Sequence, residues 1–113
     1  MEKCIFCAII NGLKPANILY QNDKIIAFDD LTPKAPQHKL IIPKKHIATV
    51  NDILPQDEEI IYNMINTARI LAVKLNIDKS GYRILINCNQ GGGQVIFHLH
   101  LHLLGGWKTD CKI

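Results

Sequence analysis

The sequence of 113 residues has no long apolar run and no leader-like N-terminus. No apolar stretch approaches the length of a membrane span, and the first residues lack the basic region and apolar core of a secretory signal. These absences argue against an integral membrane protein and against a secreted one. We therefore expect a cytoplasmic protein that has no membrane partner.

Aromatic residues and excess charge are also scarce. Aromatic residues make up 6% of the chain, and 13 Lys and Arg against 10 Asp and Glu leave a formal net charge of only +3. Proteins that bind nucleic acid strands usually interleave basic and aromatic residues, and the sequence shows no such stripe. We expect no nucleic acid polymer as a partner.

Cysteine is sparse, with four residues, two of them spaced as Cys4-x-x-Cys7. In a cytoplasmic protein, cysteines serve as thiols or metal ligands rather than as disulfides. Cys4 and Cys7 form a common zinc half-site, which two neutral imidazoles could complete as a tetrahedral set. Cys88 and Cys111 lack a matching half-site, so we expect them to be ordinary thiols.

Apolar side chains are abundant, at 48% of the chain, in patterns typical of one α+β domain over residues 1–113. The spacing predicts a short helix over residues 4–13 and a long helix over residues 55–75, whose apolar stripe includes Ile65 and should be core. The predicted strands cover residues 18–21, 24–30, 38–43 and 82–88. With a fifth strand in the histidine stretch, the pattern predicts an antiparallel sheet with helices on one face.

The most distinctive stretch runs from Val95 to Gly105, where His98, His100 and His102 alternate with leucines. Strict alternation is the strand period, so the histidines share one face, and the leucines and Phe97 share the other. At about 3.3 Å per residue, the first and last histidines would lie roughly 13 Å apart, too far for all three rings to bind one metal ion. The three histidines therefore need at least two roles.

A run of three glycines, Gly91 to Gly93, precedes the histidines and is flanked by Asn87 and Gln94. Glycine lets the backbone approach a ligand closely and the amides add donors, so this stretch is typical of an anion-binding loop. The loop leads directly into the histidines, which would place a bound phosphate beside them. Neutral imidazole can attack phosphorus and form a nucleotidyl-histidine that water hydrolyses.

These motifs resemble those of the histidine triad family. The segment His98-Leu-His-Leu-His-Leu-Leu104 matches the His-x-His-x-His-x-x pattern of the family, in which x is apolar, and Gly105-Gly106 is similar to its Hint branch. The resemblance covers nearly the whole chain and includes residues 28–30, 35–38 and 42–46. It implies a five-stranded antiparallel sheet with two helices, and a homodimer that pairs two sheets.

The resemblance also implies roles for polar residues. His100 would be the nucleophile, His38 would lie near the phosphate and the leaving group, and Asp30 would bind the ribose hydroxyls. The residues that would contact the phosphate are His102, Asn87, Gly93 and Gln94. Without the resemblance, His38 could be a solvated residue at a strand start, and Asn87 and Asp30 could be turn residues.

An apolar base pocket and a zinc site are implied in the same way. The pocket would consist of Ile5, Phe6, Ile9, Phe28 and Leu31, which could otherwise be plain core. In several bacterial-type members the first triad histidine and an upstream histidine complete the cysteine half-site, which gives Cys4, Cys7, His46 and His98 here. One structural zinc per chain would then pin the N-terminal helix to the sheet, and the chemistry would require no cofactor.

Val95 and the C-terminal tail depart from the family pattern. Well-known Hint members carry a hydroxyl residue that aids the leaving group at the position of Val95, and valine cannot donate a proton. The tail from Trp107 to Ile113 ends early, whereas Hint relatives extend towards the partner subunit's active site. Both departures bear on leaving-group preference and specificity.

The leading prediction is a hydrolase that cleaves nucleoside 5′-phosphoramidates or related purine nucleotide conjugates at the α-phosphate through a nucleotidyl-histidine. One alternative is a dinucleoside polyphosphate hydrolase. Another is a regulatory protein that binds nucleotides without turning them over. A third is a mononuclear zinc hydrolase in which His-x-His supplies two catalytic ligands.

Overall fold

The computed structural model of the chain describes residues 4–109, and these form five β-strands and two α-helices. The helices are α1 (Ile5–Ile10) and α2 (Glu58–Lys74). The strands are β1 (Ile18–Gln21), β2 (Ile25–Asp29), β3 (Gln37–Pro43), β4 (Tyr82–Leu85) and β5 (Leu101–Gly105). Neighbouring strands are antiparallel in the order β1-β2-β3-β5-β4. The predicted α+β fold is confirmed, including the meander of the first three strands.

The two helices lie on opposite faces of the sheet, which corrects the prediction that they share one face. Ile25 of β2 packs in one core cluster with Met64 of α2, whereas Ile26 packs in another with Phe6 of α1. Successive strand residues point to opposite faces, so the helices must cover opposite sides. Residues 25–28 are all apolar and buried, and a strand of this kind needs cover on both faces.

Helix α1 is shorter than the predicted residues 4–13. Cys4 caps its N-terminus, because the Cys4 Sγ accepts a hydrogen bond from the Cys7 backbone N–H at 3.3 Å. Gly12 follows the C-terminus with a φ of 73°, a conformation that favours glycine. The helix therefore ends at the predicted Asn11-Gly12 stop signal.

The histidine stretch joins the sheet later than predicted. Strand β5 begins at Leu101, and residues 95–100 run outside the hydrogen-bonded ladder. Leu99, Leu101 and Leu103 are nevertheless fully buried on the α2 side of the sheet. Phe97, which was expected with these leucines, is 46% exposed instead. The segment thus keeps the predicted alternation of leucines and histidines although only its second half is a strand.

Helix α2 begins three residues later than predicted because Pro55–Asp57 form a 3₁₀ turn. The buried Asp57 carboxylate fixes this turn: it accepts hydrogen bonds from the Leu54 backbone N–H at 2.9 Å and from the Lys45 Nζ at 2.6 Å. Ile65 is 50% exposed, so the prediction that it belongs to the core is wrong. Strand β4 also ends earlier than residue 88.

The remaining sequence predictions concern cysteines and membrane spans. Cys4, Cys7 and Cys88 are thiols, whereas Cys111 and the end of the short tail lie outside the described residues. Within residues 4–109, neither helix combines the length and the apolar character that crossing a bilayer requires.

Candidate active site

A cavity of about 570 Å³ is lined by α1, by the loop that follows β2 and by the histidine segment. This volume lies within the range of about 300–1,000 Å³ that is typical of small-molecule sites. With the exception of Gln94, the predicted catalytic and nucleotide-binding residues all line this cavity: Ile5, Phe6, Ile9, Phe28, Asp30, Leu31, His38, Asn87, Gly93, His100 and His102. The structure therefore brings together residues from distant parts of the sequence.

Apolar side chains form one wall of the cavity and reach the histidines. Phe6 and Phe28 are buried, and their ring centroids lie 5.6 Å apart in an edge-to-face arrangement. The Phe6 ring also contacts His100, with 5.2 Å between centroids. Leu31 lies at the rim, because it lines the cavity while 83% of it is exposed. A planar, weakly polar group such as a nucleobase fits this wall.

A backbone carbonyl holds His100 in one tautomer. The His100 Nδ1 lies 2.8 Å from the His98 carbonyl oxygen. Since a carbonyl can only accept, Nδ1 carries the proton and Nε2 keeps its lone pair. Burial lowers the pKa of His100, and the bond to His98 and the charge of Asp30 oppose this only in part. His100 is therefore a neutral imidazole with an unprotonated Nε2 at physiological pH.

A chain of hydrogen bonds sets the tautomers of His38 and His102. The Lys34 backbone N–H donates to the His38 Nδ1 at 3.0 Å, so the proton of the neutral ring is on Nε2. That N–H donates to the His102 Nδ1 at 2.9 Å. The His102 proton must then be on Nε2, the nitrogen left for a ligand in the cavity.

Burial keeps this histidine pair uncharged. Burial is the largest cause that lowers the pKa of His102 to about 4, followed by the charges of His100 and His38. Burial also lowers the pKa of His38, against an opposing effect of the nearby Asp30 carboxylate. Both rings are therefore neutral near pH 7, as their hydrogen bonds require.

Asp30 lies next to this pair, a contact that the sequence did not predict. Its Oδ2 is 3.4 Å from the His38 Nε2, and its Oδ1 accepts a hydrogen bond from the Thr32 backbone N–H at 2.7 Å. A carboxylate on the cavity wall can accept hydrogen bonds from ligand hydroxyls. It also stabilises any positive charge that develops on the histidine pair.

Gly93 is the residue of the glycine run that lines the cavity, and its backbone N–H is used within the loop. Gly93 has a φ of 86°, and its N–H donates to the Gln90 carbonyl within the loop. The positive φ would strain any other residue at this position, although a Cβ itself would make only an ordinary contact of 3.6 Å with the Asn87 Nδ2. Asn87 donates one side-chain N–H to the Gly92 carbonyl at 2.7 Å, which leaves its second N–H for a ligand.

Gln94 is committed to the structure of this loop. Its buried amide group donates to the carbonyls of Ala48 at 2.8 Å and Ile96 at 3.0 Å, and its Oε1 accepts from the Asn89 N–H at 2.8 Å. Asn89 has a φ of 62° and a ψ of 174°, a region that otherwise suits only glycine. Gln94 thus holds a strained turn in place, and the predicted contact of its side chain with a phosphate finds no support in this geometry.

Cys4, Cys7, His46 and His98 form a compact cluster of potential metal ligands. The His98 Nδ1 lies 3.3 Å from the Cys4 Sγ, 3.5 Å from the Cys7 Sγ and 3.1 Å from the His46 Nδ1. Around a tetrahedral zinc ion, neighbouring ligand atoms are separated by about 3.4 Å for two nitrogens and about 3.6 Å for sulfur and nitrogen. The His98 Nε2 donates to the Pro43 carbonyl at 2.8 Å, so Nδ1 keeps its lone pair for a metal. The cluster therefore fits a zinc ion.

Asp30, His38 and His102 form a second group of potential ligand atoms within residues 4–109. Its geometry is that of a hydrogen-bond relay, because the His38 Nε2 carries a proton and a protonated nitrogen cannot bind a metal ion. Neither group of the described residues contains His100. The arrangement thus gives no support to a mononuclear zinc hydrolase built on His-x-His.

Several polar residues of the cavity escaped prediction. They are Lys14, Asp29, Thr32 and Lys34. Lys34 lies between the predicted ribose carboxylate and the predicted His38, and that position is the only signal in the sequence that could have pointed to it. Asp29 is paired with Lys39, whose Nζ lies 2.6 Å from the Asp29 Oδ1.

The fold and the site together define a class of protein: a small α+β protein with a ligand cavity lined by buried histidines, one of which is held in a single tautomer by a backbone carbonyl. The comparisons with known proteins agree with this class. A family model described as "Scavenger mRNA decapping enzyme C-term binding" matches residues 3–112. The purine nucleoside phosphoramidase of Escherichia coli K12 is 45% identical over 105 residues, which are 93% of this chain and 88% of that protein.

Solved structures agree as well. A HIT family hydrolase from Legionella pneumophila Philadelphia 1 matches with a TM-score of 0.92 and 46% identity over 96% of both chains. A zinc-bound histidine triad family protein from Mycobacterium smegmatis matches with a TM-score of 0.82 and 31% identity, over 96% of this chain and 78% of that one. The chain belongs to the histidine triad family and is a homologue of its hydrolases.

Proposed function

We propose that this protein hydrolyses purine nucleoside 5′-phosphoramidates, or related purine nucleotide conjugates, at the α-phosphate through a nucleotidyl-His100 intermediate. The observation that carries the proposal is the 2.8 Å hydrogen bond from the His100 Nδ1–H to the His98 carbonyl, which leaves the Nε2 lone pair on the wall of a nucleotide-sized cavity. The name of the Escherichia coli relative, purine nucleoside phosphoramidase, supports the substrate class.

The reaction then takes two steps. In the first, the His100 Nε2 lone pair forms a bond to the α-phosphorus, and the P–N bond to the amine breaks with its electron pair on the amine nitrogen, which takes a proton from solvent. In the second, a water oxygen bonds to phosphorus, the bond to Nε2 breaks with its electron pair on Nε2, and a proton returns to solvent. The products are the nucleoside 5′-monophosphate and the free amine.

The surrounding residues bind the substrate and stabilise its charge. The His102 Nε2–H and the second N–H of Asn87 would donate to phosphate oxygens, where negative charge builds up in the transition state. Asp30 would accept hydrogen bonds from the ribose hydroxyls. The base would lie against the apolar wall that includes Phe6 and Phe28. In this assignment His38 acts through His102, because its Nε2–H is already donated to that ring.

A dinucleoside polyphosphate is the second candidate substrate, and Val95 favours it. Val95 lines the cavity with 87% of its surface exposed and has no hydroxyl that could protonate a departing amine. A nucleotide that leaves from a phosphoanhydride needs no proton at that moment. The same nucleophile and the same two steps apply to both bonds.

We propose one structural zinc ion per chain, held by Cys4, Cys7, His46 and His98. Four protein ligands complete a tetrahedron, so the ion would have no open position for substrate or water. Its function would be to join the start of α1 to the histidine segment. A zinc-bound relative with the same fold supports this assignment.

We also propose a homodimer that acts in the cytoplasm. Strand β4 is at the edge of the sheet and pairs only with β5 within the described chain. Ile84 of β4 is paired with Leu103, which faces α2, so Ile84 points to the same side of the sheet. Ile65 and Tyr62 of α2, the helix that covers this side of the sheet, are exposed as well. An edge strand beside exposed apolar side chains is suited to pair with a second copy.

The proposal predicts that His100→Ala abolishes hydrolysis of an adenosine 5′-phosphoramidate, with kcat/KM reduced by at least about a thousandfold. Binding of AMP should stay within a few-fold of the original affinity, since the cavity wall and the other donors are intact. Steady-state kinetics and calorimetric titration measure the two quantities. Phe97→Ala, in the same segment but outside the cavity, is the matched control. Turnover by His100→Ala within tenfold of the unmodified protein would contradict the mechanism.

A further inference from the structure

Two lysines on the cavity wall have no role in the reaction as proposed above. Lys14 and Lys34 line the cavity, and neither forms an ion pair with a carboxylate of residues 4–109. The nearby Asp29, by contrast, is neutralised by Lys39 at 2.6 Å. A cation on the wall of a ligand cavity without a protein partner is available to an anionic part of the ligand.

Lys34 lies at the end of the cavity where phosphate chemistry would occur. Its backbone N–H bonds to His38, the ring that donates to His102. Burial is the main reason that the pKa values of His38 and His102 are low, and the Lys34 charge lowers both further. The ammonium group is therefore close enough to the histidine pair to act on a group that is bound beside it.

The direction of attack places the leaving group on the side of Lys34. His100 is only 7% exposed, so its Nε2 attacks phosphorus from the buried side of the cavity. In a displacement at phosphorus the leaving group departs opposite the nucleophile, which here means towards the solvent. The lining residues at this exposed rim include Leu31, Lys34 and Val95. Lys34 is the charged one of the three.

We propose that the substrate's leaving group carries a negative charge, a carboxylate or a phosphate, and that Lys34 binds it as a specificity-determining residue. This inference rests on the proposed function, which it deepens. The α-phosphate already has donors in His102 and Asn87, whereas Leu31 and Val95 at the rim are apolar and cannot neutralise a charged leaving group. An exposed lysine whose charge is partly screened by water is expected to change the preference about fivefold.

The test compares three adenosine 5′-phosphoramidates that share one P–N bond and differ in the amine: β-alanine, its neutral isostere β-alaninamide, and 2-aminoethyl phosphate. Lys34→Gln removes the ammonium and keeps the backbone N–H that bonds to His38. Lys79→Gln removes the same charge from an exposed turn outside the cavity and is the matched control. The quantity measured is the ratio of kcat/KM between each anionic substrate and the neutral one.

We expect Lys34→Gln to lower this ratio about fivefold for at least one anionic substrate, and Lys79→Gln to leave it unchanged. The effect should shrink at high salt, because counterions screen an exposed charge. The more affected substrate identifies carboxylate or phosphate as the anion that Lys34 binds. An equal loss for all three substrates would overturn the inference, since Lys34 would then act on the α-phosphate or on the fold. An unchanged ratio would overturn it too.

The outcomes also separate this inference from the proposed function. If Lys34 has no role in specificity, all three compounds are still hydrolysed and the activity is still lost in His100→Ala. If the proposed function is wrong, the unmodified protein hydrolyses none of the three, or the activity survives His100→Ala. Either of these two results would overturn the inference together with the proposed function.

Discussion

Backbone groups decide where each imidazole proton lies in this site. The His98 carbonyl accepts the Nδ1 proton of His100, so the His100 Nε2 keeps its lone pair. The Lys34 N–H fixes the tautomer of His38, which donates to the His102 Nδ1, so the His102 Nε2 carries a proton and can donate. A nucleophile beside a donor is what attack on a phosphate ester or amide requires. The sequence could predict these residues, through spacing and family resemblance. It could not predict their tautomers, which depend on distances to backbone atoms in other segments.

The buried histidines give a prediction on pH. Burial lowers the pKa of His102 to about 4, so this ring stays neutral well below the ordinary histidine pKa of about 6.5. Burial also lowers the pKa of His100 from its ordinary value. Activity requires neutral His100 and neutral His102. It is therefore present when the pH is above the pKa values of these two rings in the folded protein, and it is lost as the pH falls through those values. We expect the midpoint at which kcat/KM is lost on acidification to lie below the ordinary histidine pKa of about 6.5.

The pH profile should be measured at constant ionic strength, with the folded fraction checked at each pH. A loss of activity with its midpoint at or above about pH 6.5 would mean that a histidine with an ordinary pKa controls the reaction. That result would contradict the role of burial in the site.

At the scale of secondary structure elements, the Cys4, Cys7, His46 and His98 cluster links α1 to the histidine segment. The face that carries α1 was predicted wrongly, although the sequence held the signal: residues 25–28 are apolar at every position, and a strand of this kind is covered on both sides. The late start of β5 could not be foreseen, because alternation sets the direction of side chains but not where pairing to β3 and β4 begins. The cluster places two of its ligands on or beside α1, which is too short to be stable alone.

The zinc proposal predicts that Cys4→Ser lowers the midpoint of thermal unfolding by roughly 5 to 15 °C and reduces the bound zinc. Loss of one ligand weakens the metal site and with it the link between α1 and His98. Activity should persist in the folded fraction, because the metal takes no part in the proposed reaction. Calorimetry and elemental analysis on protein prepared without chelators provide the measurements. Cys88→Ser, a thiol outside the cluster, serves as the control. Equal unfolding midpoints and zinc contents for Cys4→Ser and the unmodified protein would exclude the proposed site.

At the scale of the whole molecule, the edge strand β4 and helix α2 each carry apolar side chains, Ile84 and Ile65, that residues 4–109 leave exposed. Ile65 was assigned to the core from its helical spacing, yet it is exposed. Periodicity identifies an apolar stripe but cannot tell a core from an interface, since both bury the same kind of side chain. The exposed Ile65 belongs to the helix that covers the side of the sheet towards which Ile84 points.

The homodimer proposal predicts a particle of twice the chain mass of 12.8 kDa in solution. Ile84→Lys should shift it to the monomer, because a charge would be buried at the centre of the paired edges. Leu13→Lys changes an exposed apolar residue in the loop after α1 and should leave the dimer intact. Light scattering after size-exclusion chromatography measures the mass over a range of concentrations. A monomeric unmodified protein at micromolar concentration would contradict the proposal.

Intact-protein mass spectrometry after rapid quenching would detect the proposed covalent intermediate on His100 itself. The protein is mixed with excess adenosine 5′-phosphoramidate, quenched in alkali within milliseconds, and digested to locate any modification. We expect a transient mass increase of one adenylyl group that maps to His100 and is absent from His100→Ala. Full turnover of the substrate with no adduct at any time, or an adduct on another residue, would contradict the proposed intermediate.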